Sequence, residues 1–495
     1  MTSGSEPPVG TRSIPIDDRQ RWRAFWVCVG VAAFTILDIS KVNVGLPSIE
    51  KALGGGSTEL QLVVSGYILA FGLGLVPFGR IGDQRSRRTL MIVGLCGFAA
   101  ASVLCAVAPN IWWLVAARFV QGVAAGVQMP QVMGTIQQLF TGRERGVAFG
   151  LFGATVGIAT AFGPTLGGLL IALGGEVNGW RLIFWINLPL CLIVLLGAIL
   201  LLPEVRRPSG APLELDPVGL TLFGLAVVFL MTPFLFTTGT SSDSPARWWL
   251  LLPFAAACAA FVWWEARYAA RGKSPLVPLR LFRVTSWRNG NILQLLYFAG
   301  LPTVFILTAL FLQIGLGIAP VFAGMVTIGF ALLSAFTSWL GGRLVGRFGR
   351  ALVVAGLVMV LIAIVGLALI ARFADDEVVP WLMALVLAFG GAGGGFVISP
   401  NQTLTLAEIP TREGGLAGSV GQLGQRIGNA VGTAIGLSLF YSTISASDPE
   451  PGDTAVYHGA YTAGLVAAAV CVAAALVVAL VDQRGRKRAA HGRRG

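Results

Sequence analysis

Residues 25–49 read FWVCVGVAAFTILDISKVNVGLPSI. The run is long enough to cross bilayer hydrocarbon, which takes roughly 20 mostly apolar residues, yet Asp38 and Lys41 stand near its middle. Each charge placed there costs at least about 2.5–3.5 kcal/mol on insertion scales. Such groups persist where they pair or line a wet cavity.

The rest of the chain sets the solvent. Of 495 residues, 55% are hydrophobic and 12% charged, with a mean hydropathy of +0.78. A soluble domain carries about 25% charged residues, so a polytopic membrane protein is expected. The 65 glycines suit close helix packing in lipid. The first twenty residues, MTSGSEPPVGTRSIPIDDRQ, lack an apolar core; no cleaved signal peptide is expected, and the first helix reads as a retained span.

Fourteen apolar segments follow, near 22–46, 60–79, 89–108, 111–135, 146–173, 180–202, 217–237, 248–269, 289–313, 321–341, 351–371, 380–405, 414–441 and 459–482. An even number places both termini on one side. With that side cytoplasmic, 28 of the 35 cations lie inside and four outside (Lys51, Arg181, Arg247, Arg372), leaving Lys41, Arg118 and Arg426 within spans. This positive-inside bias orients the chain, and it accounts for the net charge of +12 without nucleic-acid binding. Arginine outnumbers lysine 31 to 4 among many alanines and glycines, a bias of GC-rich bacterial genomes. The expected location is the bacterial inner membrane. The cysteines, Cys28, Cys96, Cys105, Cys191, Cys258 and Cys471, fall in apolar runs without metal-ligand spacing. They read as buried thiols.

An internal repeat organises the spans. GRIGDQRSR at 79–87, after helix 2, aligns without gaps with GRLVGRFGR at 342–350, after helix 10, at an offset of 263. Arg80 matches Arg343, and Arg87 matches Arg350. Related transporter halves are usually six-helix bundles, so helices 7 and 8 read as a central insertion. The expected division is 1–21 N-terminal tail, 22–202 first bundle, 203–288 linker with helices 7 and 8, 289–482 second bundle, and 483–495 basic tail.

Six stretches in order carry a family resemblance: LDISKVNVGLPSI in helix 1, GRIGDQRSRR after helix 2, RFVQG at 118–122, GPTLGG at 163–168, GWRLIFWINLP in helix 6 and GQRIGNAVG in helix 13. Together they resemble the major facilitator superfamily, and within it the fourteen-helix drug:proton antiporters. Lys41 stands where that family has an apolar residue, and Ser86 where a glycine is usual. The resemblance implies an all-α protein of two six-helix bundles plus two inserted helices, working by alternating access as a proton-coupled exporter of drugs or small amphiphilic metabolites. It implies no enzyme activity and no cofactor beyond the proton gradient. Expected partners are protons, lipid and a hydrophobic or amphiphilic small molecule; the chain is expected to be monomeric.

For the site, Asp38 and Arg118 fall at similar depth, roughly 12 and 10 Å below the outer ends of helices 1 and 4 at 1.5 Å per residue. In the family these helices are neighbours. Lys41 shares the face of Asp38, with Phe34 and Gly45 on the same stripe. Proton coupling through Asp38, Arg118 and Lys41 is one reading and a locked ion pair the other. The net charge of the group with Arg426, +2 if all ionise, suits anionic, zwitterionic or neutral substrates better than cations. Further cavity candidates are Phe34, Gln121, Asn187, Gln294, Tyr297, Gln313 and Arg426. In the loop after helix 2, Gly79, Asp83, Arg87 and Arg88 read as a latch or as topology signals; Asp83 suits an arginine or a facing helix N-terminus. Gly163, Pro164, Gly167 and Gly168 of helix 5 read as a sealing interface or as close packing. The Gly-rich helix 12 is open to a bending or a packing role. Glu265 and Glu408 read as interfacial. A dedicated exporter of one acidic natural product, lipid or siderophore, an uptake carrier, and a non-transporting receptor or scaffold remain alternatives.

Overall fold

A computed structural model describes residues 17–203, 216–237, 244–447 and 454–491. Arg12, Arg206, Arg207, Arg493 and Arg494, counted above among the inward-lying cations, lie outside these. The described residues form helices and no strand. Fourteen helices are long enough to span: helix 1 Asp18–Leu53, helix 2 Ser57–Gln84, helix 3 Arg87–Ala106, helix 4 Ile111–Leu139, helix 5 Gly142–Gly175, helix 6 Val177–Leu201, helix 7 Pro217–Leu235, helix 8 Leu251–Ala270, helix 9 Thr285–Leu310, helix 10 Ile328–Phe348, helix 11 Arg350–Phe373, helix 12 Val379–Thr405, helix 13 Gly414–Ser447 and helix 14 Thr454–His491. Thirteen are apolar enough on composition alone. Helix 4 is the exception because Arg118, Gln121, Gln128, Gln131, Gln137 and Gln138 interrupt it; it passes as a span because other helices surround those side chains. Helices 5 and 6 break at Gly175, whose φ of 79° lies in the left-handed region that glycine tolerates.

Packing follows one plan twice. Helix 1 lies on 5 and 6, helix 2 on 4, and helix 3 on 4 and 6. Eight positions later, helix 9 lies on 13 and 14, helix 10 on 12, and helix 11 on 12 and 14. Helices 7 and 8 pair with each other, and helix 7 rests against helices 2 and 13. Apolar cores fill both bundles. Large apolar side chains such as Leu173, Ile193, Leu200, Leu385 and Val470 face outward, an arrangement that only a lipid solvent tolerates.

The bundles meet on the arginine-rich face where helix 1 begins and helix 14 ends. Helix 2 packs on 13, and helix 5 on 10. A Cβ added to Gly146 would lie 2.4 Å from the Gly342 carbonyl, and one on Gly150 would lie 2.8 Å from that of Ser338. Backbones this close admit only glycine. Contact thins at Gly157, which has one atom of helix 10 at 3.9 Å. Beyond it Ile158 and Phe162 are exposed.

Several expectations need correction. Cys96 is exposed on the outer surface of helix 3, and Cys258 and Cys471 are half-buried, whereas Cys28, Cys105 and Cys191 are buried. Glu265 is fully buried, accepting from the Val277 amide at 2.9 Å; the loop after helix 8 folds back over it. The basic tail continues helix 14 to His491, and helix 1 starts at Asp18, inside the expected N-terminal tail. Glycines 391, 393 and 395 of helix 12 are seated on the backbones of helices 10 and 11, so their smallness serves packing.

Candidate functional site

Helix periodicity puts Asp38 and Lys41 on one face of helix 1, three residues apart. Helix 4 presents Arg118 and Gln121 with the same spacing, and helix 6 adds Asn187. The three faces converge. Arg118 Nη1 donates to Asp38 Oδ2 at 2.8 Å and to Gln121 Oε1 at 2.7 Å. Asn187 Nδ2 donates to Asp38 Oδ1 at 2.8 Å, and Lys41 Nζ lies 3.4 Å from the same oxygen. Lys41 also donates to Asn187 Oδ1. Ser102 of helix 3 accepts from Gln121 and Asn187 at 2.8 and 3.1 Å. Arg118 Nε donates to the Val63 carbonyl at 3.2 Å, and its guanidinium lies over the Tyr67 ring at 4.1 Å. Asp38, Lys41, Gln121 and Asn187 have no solvent exposure and Arg118 has 1%.

The arithmetic of charge matters here. One carboxylate faces two cations, so the fully ionised cluster holds +1 in a medium that penalises net charge. All of its hydrogen bonds are made within the first bundle, and moving a proton or an anion into it changes which bonds can exist. The cluster is sealed in this arrangement.

Ser102, Tyr67 and the Val63 carbonyl escape sequence reasoning. A lone serine or tyrosine in an apolar run has no spacing signature. A second polar link, Gln128 Nε2 to Thr35 Oγ1 at 2.9 Å, joins helices 4 and 1 one step further along. It was readable only as the stripe Arg118, Gln121, Gln128 on helix 4.

The remaining candidates scatter. Phe34 is enclosed edge-on to Phe98, 5.3 Å between centroids, in the first bundle's core. It is not a cavity wall, and Gln121 and Asn187 belong to the sealed cluster. Gln294 and Tyr297 line a cleft between helices 9 and 12 with Val397 and Asn401. Gln313 is half-buried in a π-turn, Phe311–Gly315, at the end of helix 9. Arg426 projects from helix 13 onto the face of Phe71 at 4.6 Å, in the other bundle.

Helix 5's motif turns toward helix 1. A Cβ on Gly163 would lie 2.2 Å from Ser40 Cβ, and one on Gly167 would lie 2.8 Å from the Lys41 carbonyl. Gly168 has nothing within 4 Å, and Pro164 is exposed. The motif therefore seats the backbone that carries Asp38 and Lys41, while the contact between bundles uses Gly146 and Gly150.

The loop after helix 2 bridges the bundles. Asp83 accepts from the Gly415 and Leu416 amides at 3.0 and 2.8 Å, at the start of helix 13, where a helix's positive end favours a carboxylate. Arg87 donates to Asp83 at 2.6 Å, to Gln138 at 2.8 Å and to the Thr411 carbonyl at 3.0 Å. Gly79 leaves room for Ser419, whose Oγ would lie 2.3 Å from an added Cβ. Arg88 turns away to the Ile199 carbonyl. Ser86, in place of glycine, caps helix 3 by accepting from the Thr89 amide at 3.2 Å, with φ of −78°. Its repeat partner Gly349 has φ of 53°, so the two halves turn this corner differently and only the second needs glycine.

Comparison with known proteins agrees with this architecture. The Major Facilitator Superfamily family model matches residues 28–287 and again 290–495. A probable actinorhodin transporter of Streptomyces coelicolor is 34% identical over 89% of this chain and 76% of its own. The puromycin resistance protein pur8 of Streptomyces alboniger is 33% identical over 86% and 83%, and the multidrug resistance protein Stp of Mycobacterium tuberculosis 30% over 85% and 76%. Among solved structures, the proton:xylose symporter XylE superposes with a TM-score of 0.62 at 16% identity, over 91% of this chain and 95% of that one. The human organic anion transporter MFSD10 gives 0.60 at 14%, over 91% and 99%; both likenesses speak for the fold. With two six-helix bundles, a repeated family match and relatives across most of its length, the chain belongs to the Major Facilitator Superfamily and is a multi-pass membrane transporter, not an enzyme.

Proposed function

We propose that the protein is a proton-coupled exporter of drugs or small amphiphilic metabolites, with the arginine-rich face toward the cytoplasm. The observation that carries this reading is the buried Asp38–Lys41–Arg118–Asn187 cluster. A proton on Asp38 cancels its hold on Arg118 and Lys41 and leaves two cations facing each other. That arrangement is relieved by hydration or by substrate on the freed cation. Deprotonation restores the ion pairs. Membrane potential drives the inward proton with about 2.3 kcal/mol per charge per 100 mV, which outward substrate movement then uses. No cofactor enters this cycle, and a monomer contains all of its parts.

The relatives' names support export: an actinorhodin transporter, and resistance proteins for puromycin and for multiple drugs. Two of those names specify single antibiotics, which favours export of one natural product as the second reading. The test is substrate-dependent proton release from proteoliposomes under an imposed pH gradient, with actinorhodin, puromycin and ethidium as trial compounds. Coupled flux with at least one of them is expected. Binding without any coupled flux contradicts the reading and points to a receptor.

A further inference from the structure

Arg426 stands apart from the cluster just described. It is the one span-interior cation that has no ion-pair partner among the described residues. Its guanidinium lies 4.6 Å over the Phe71 ring, and its Nε makes no hydrogen bond. Phe71 belongs to helix 2, so an unpaired cation of the second bundle is aimed at the first.

Its surroundings are equally unfinished. Gln422 lies one helical turn away on the same face of helix 13. It is 3% exposed, and neither its Nε2 nor its Oε1 has a partner. The Tyr67 hydroxyl, one turn from Phe71 on helix 2, is fully buried and also unbonded. Tyr67 and Phe71 meet edge-on at 6.0 Å, and Arg118 covers Tyr67 from within the first bundle. This face of helix 13 is the one that looks at the other bundle: Gly415 lies by Asp83, Gly418 by Met133 and Ser419 by Gly79. Apolar groups complete the rim, with Leu423 and Met231 within 3.5 Å of where a Cβ on Gly72 would stand.

Buried polar groups are ordinarily satisfied, and leaving one bare costs about 1–3 kcal/mol. Here two such side chains, Gln422 and Tyr67, lie at mid-span where the bundles face each other, with the half-buried Arg426, whose Nε is itself buried and bare. Their free valences are mostly donors: guanidinium N–H, amide NH₂ and phenol O–H. Donors around a planar fork match a carboxylate, which arginine binds in two-point fashion. The flanking Phe71, Leu423 and Met231 suit an adjoining ring system.

We infer that Arg426, Gln422 and Tyr67 form a substrate subsite for an organic anion, a carboxylate or similar acidic group attached to a flat apolar ring system. This rests on the transporter reading above and names the substrate class. An anion here also offsets the positive charge left by one carboxylate among three cations. It bridges the bundles, since Arg426 and Gln422 come from helix 13 and Tyr67 from helix 2.

The experiment uses full-length protein in nanodiscs at neutral pH, with no gradient, and two dyes sharing one ring system: fluorescein, an anion, and rhodamine 6G, a cation. Fluorescence polarisation reads each affinity. Fluorescein is expected to bind more tightly than rhodamine 6G. Arg426→Met is expected to weaken fluorescein roughly ten- to a hundredfold, the loss typical of a charge-assisted bond, and to leave rhodamine 6G unchanged or improved. Arg426→Lys recovers part of the loss, and Gln422→Leu, which keeps the charge, shows a smaller one. Monodispersity and thermal unfolding confirm that the variants are folded. Absent fluorescein binding, preference for rhodamine 6G, or equal fluorescein affinity in Arg426→Met would each overturn the inference. Because the assay has no gradient, those outcomes leave proton-coupled export of another substrate class standing. Conversely, anion binding without coupled flux defeats export and keeps the subsite.

Discussion

Asp83→Asn isolates the latch between the bundles. The carboxylate accepts two amide N–H groups of helix 13 and one N–H of Arg87 with two oxygens. An asparagine has one acceptor oxygen, so its NH₂ must face either Leu416 N–H or the Gly415 and Arg87 donors. At least one bond to a charged group disappears, worth about 1.5–3 kcal/mol. When the bundles part on this face, water serves all of these groups, so the loss falls on the closed arrangement alone. The population ratio should shift roughly 10- to 150-fold toward opening, at 1.4 kcal/mol per decade. Hydrogen–deuterium exchange in nanodiscs reads the shift. The informative segments are the start of helix 5 and the end of helix 10, around Gly146 and Gly342, which meet each other but do not touch Asp83. Faster exchange there is expected. If only residues 411–416 change, the loop is a local cap and the latch reasoning fails.

Other substitutions probe separate parts. Gly163→Val and Gly167→Val drive a side chain into Ser40 and the Lys41 backbone; each should destabilise by about 1–3 kcal/mol, the usual overpacking range, and abolish transport, while Gly168→Ala should match native protein in thermal unfolding and flux. Ser86→Ala should lose about 1 kcal/mol with its cap and Ser86→Gly only a few tenths, measurable as faster exchange at the start of helix 3. Lys41→Met lowers the cluster's net charge to zero and should unfold at or above the native temperature, whereas Arg118→Met reaches the same net charge but takes the donor away from Asp38 Oδ2, Gln121 Oε1 and the Val63 carbonyl and should cost about 1–3 kcal/mol for each buried acceptor left bare.

Much of the fold is readable because lipid permits few solutions. Fourteen apolar runs and an arginine-marked repeat admit the two-bundle plan, and helix 4 was legible despite its polar stripe because its length and flanks match the others. The meeting of Asp38 with Arg118 follows from depth together with the neighbourhood of helices 1 and 4. Which surface the helix 5 glycines face does not follow, since close approach to helix 1 and to helix 10 needs the same residue type. The burial of Glu265 depends on the 271–284 segment folding back, which no period in helix 8 reveals. Phe34 shows a similar limit: sharing a helical face with Asp38 does not say whether that face borders a cavity or another helix.

The most direct test is Asp38→Asn in proteoliposomes, comparing substrate movement driven by a proton gradient with substrate counterflow in its absence. Asparagine keeps the shape and an acceptor for Arg118 but cannot exchange a proton at neutral pH. Gradient-driven movement should vanish while counterflow persists. Native gradient-driven transport in that variant would remove the helix 1 carboxylate from energy coupling.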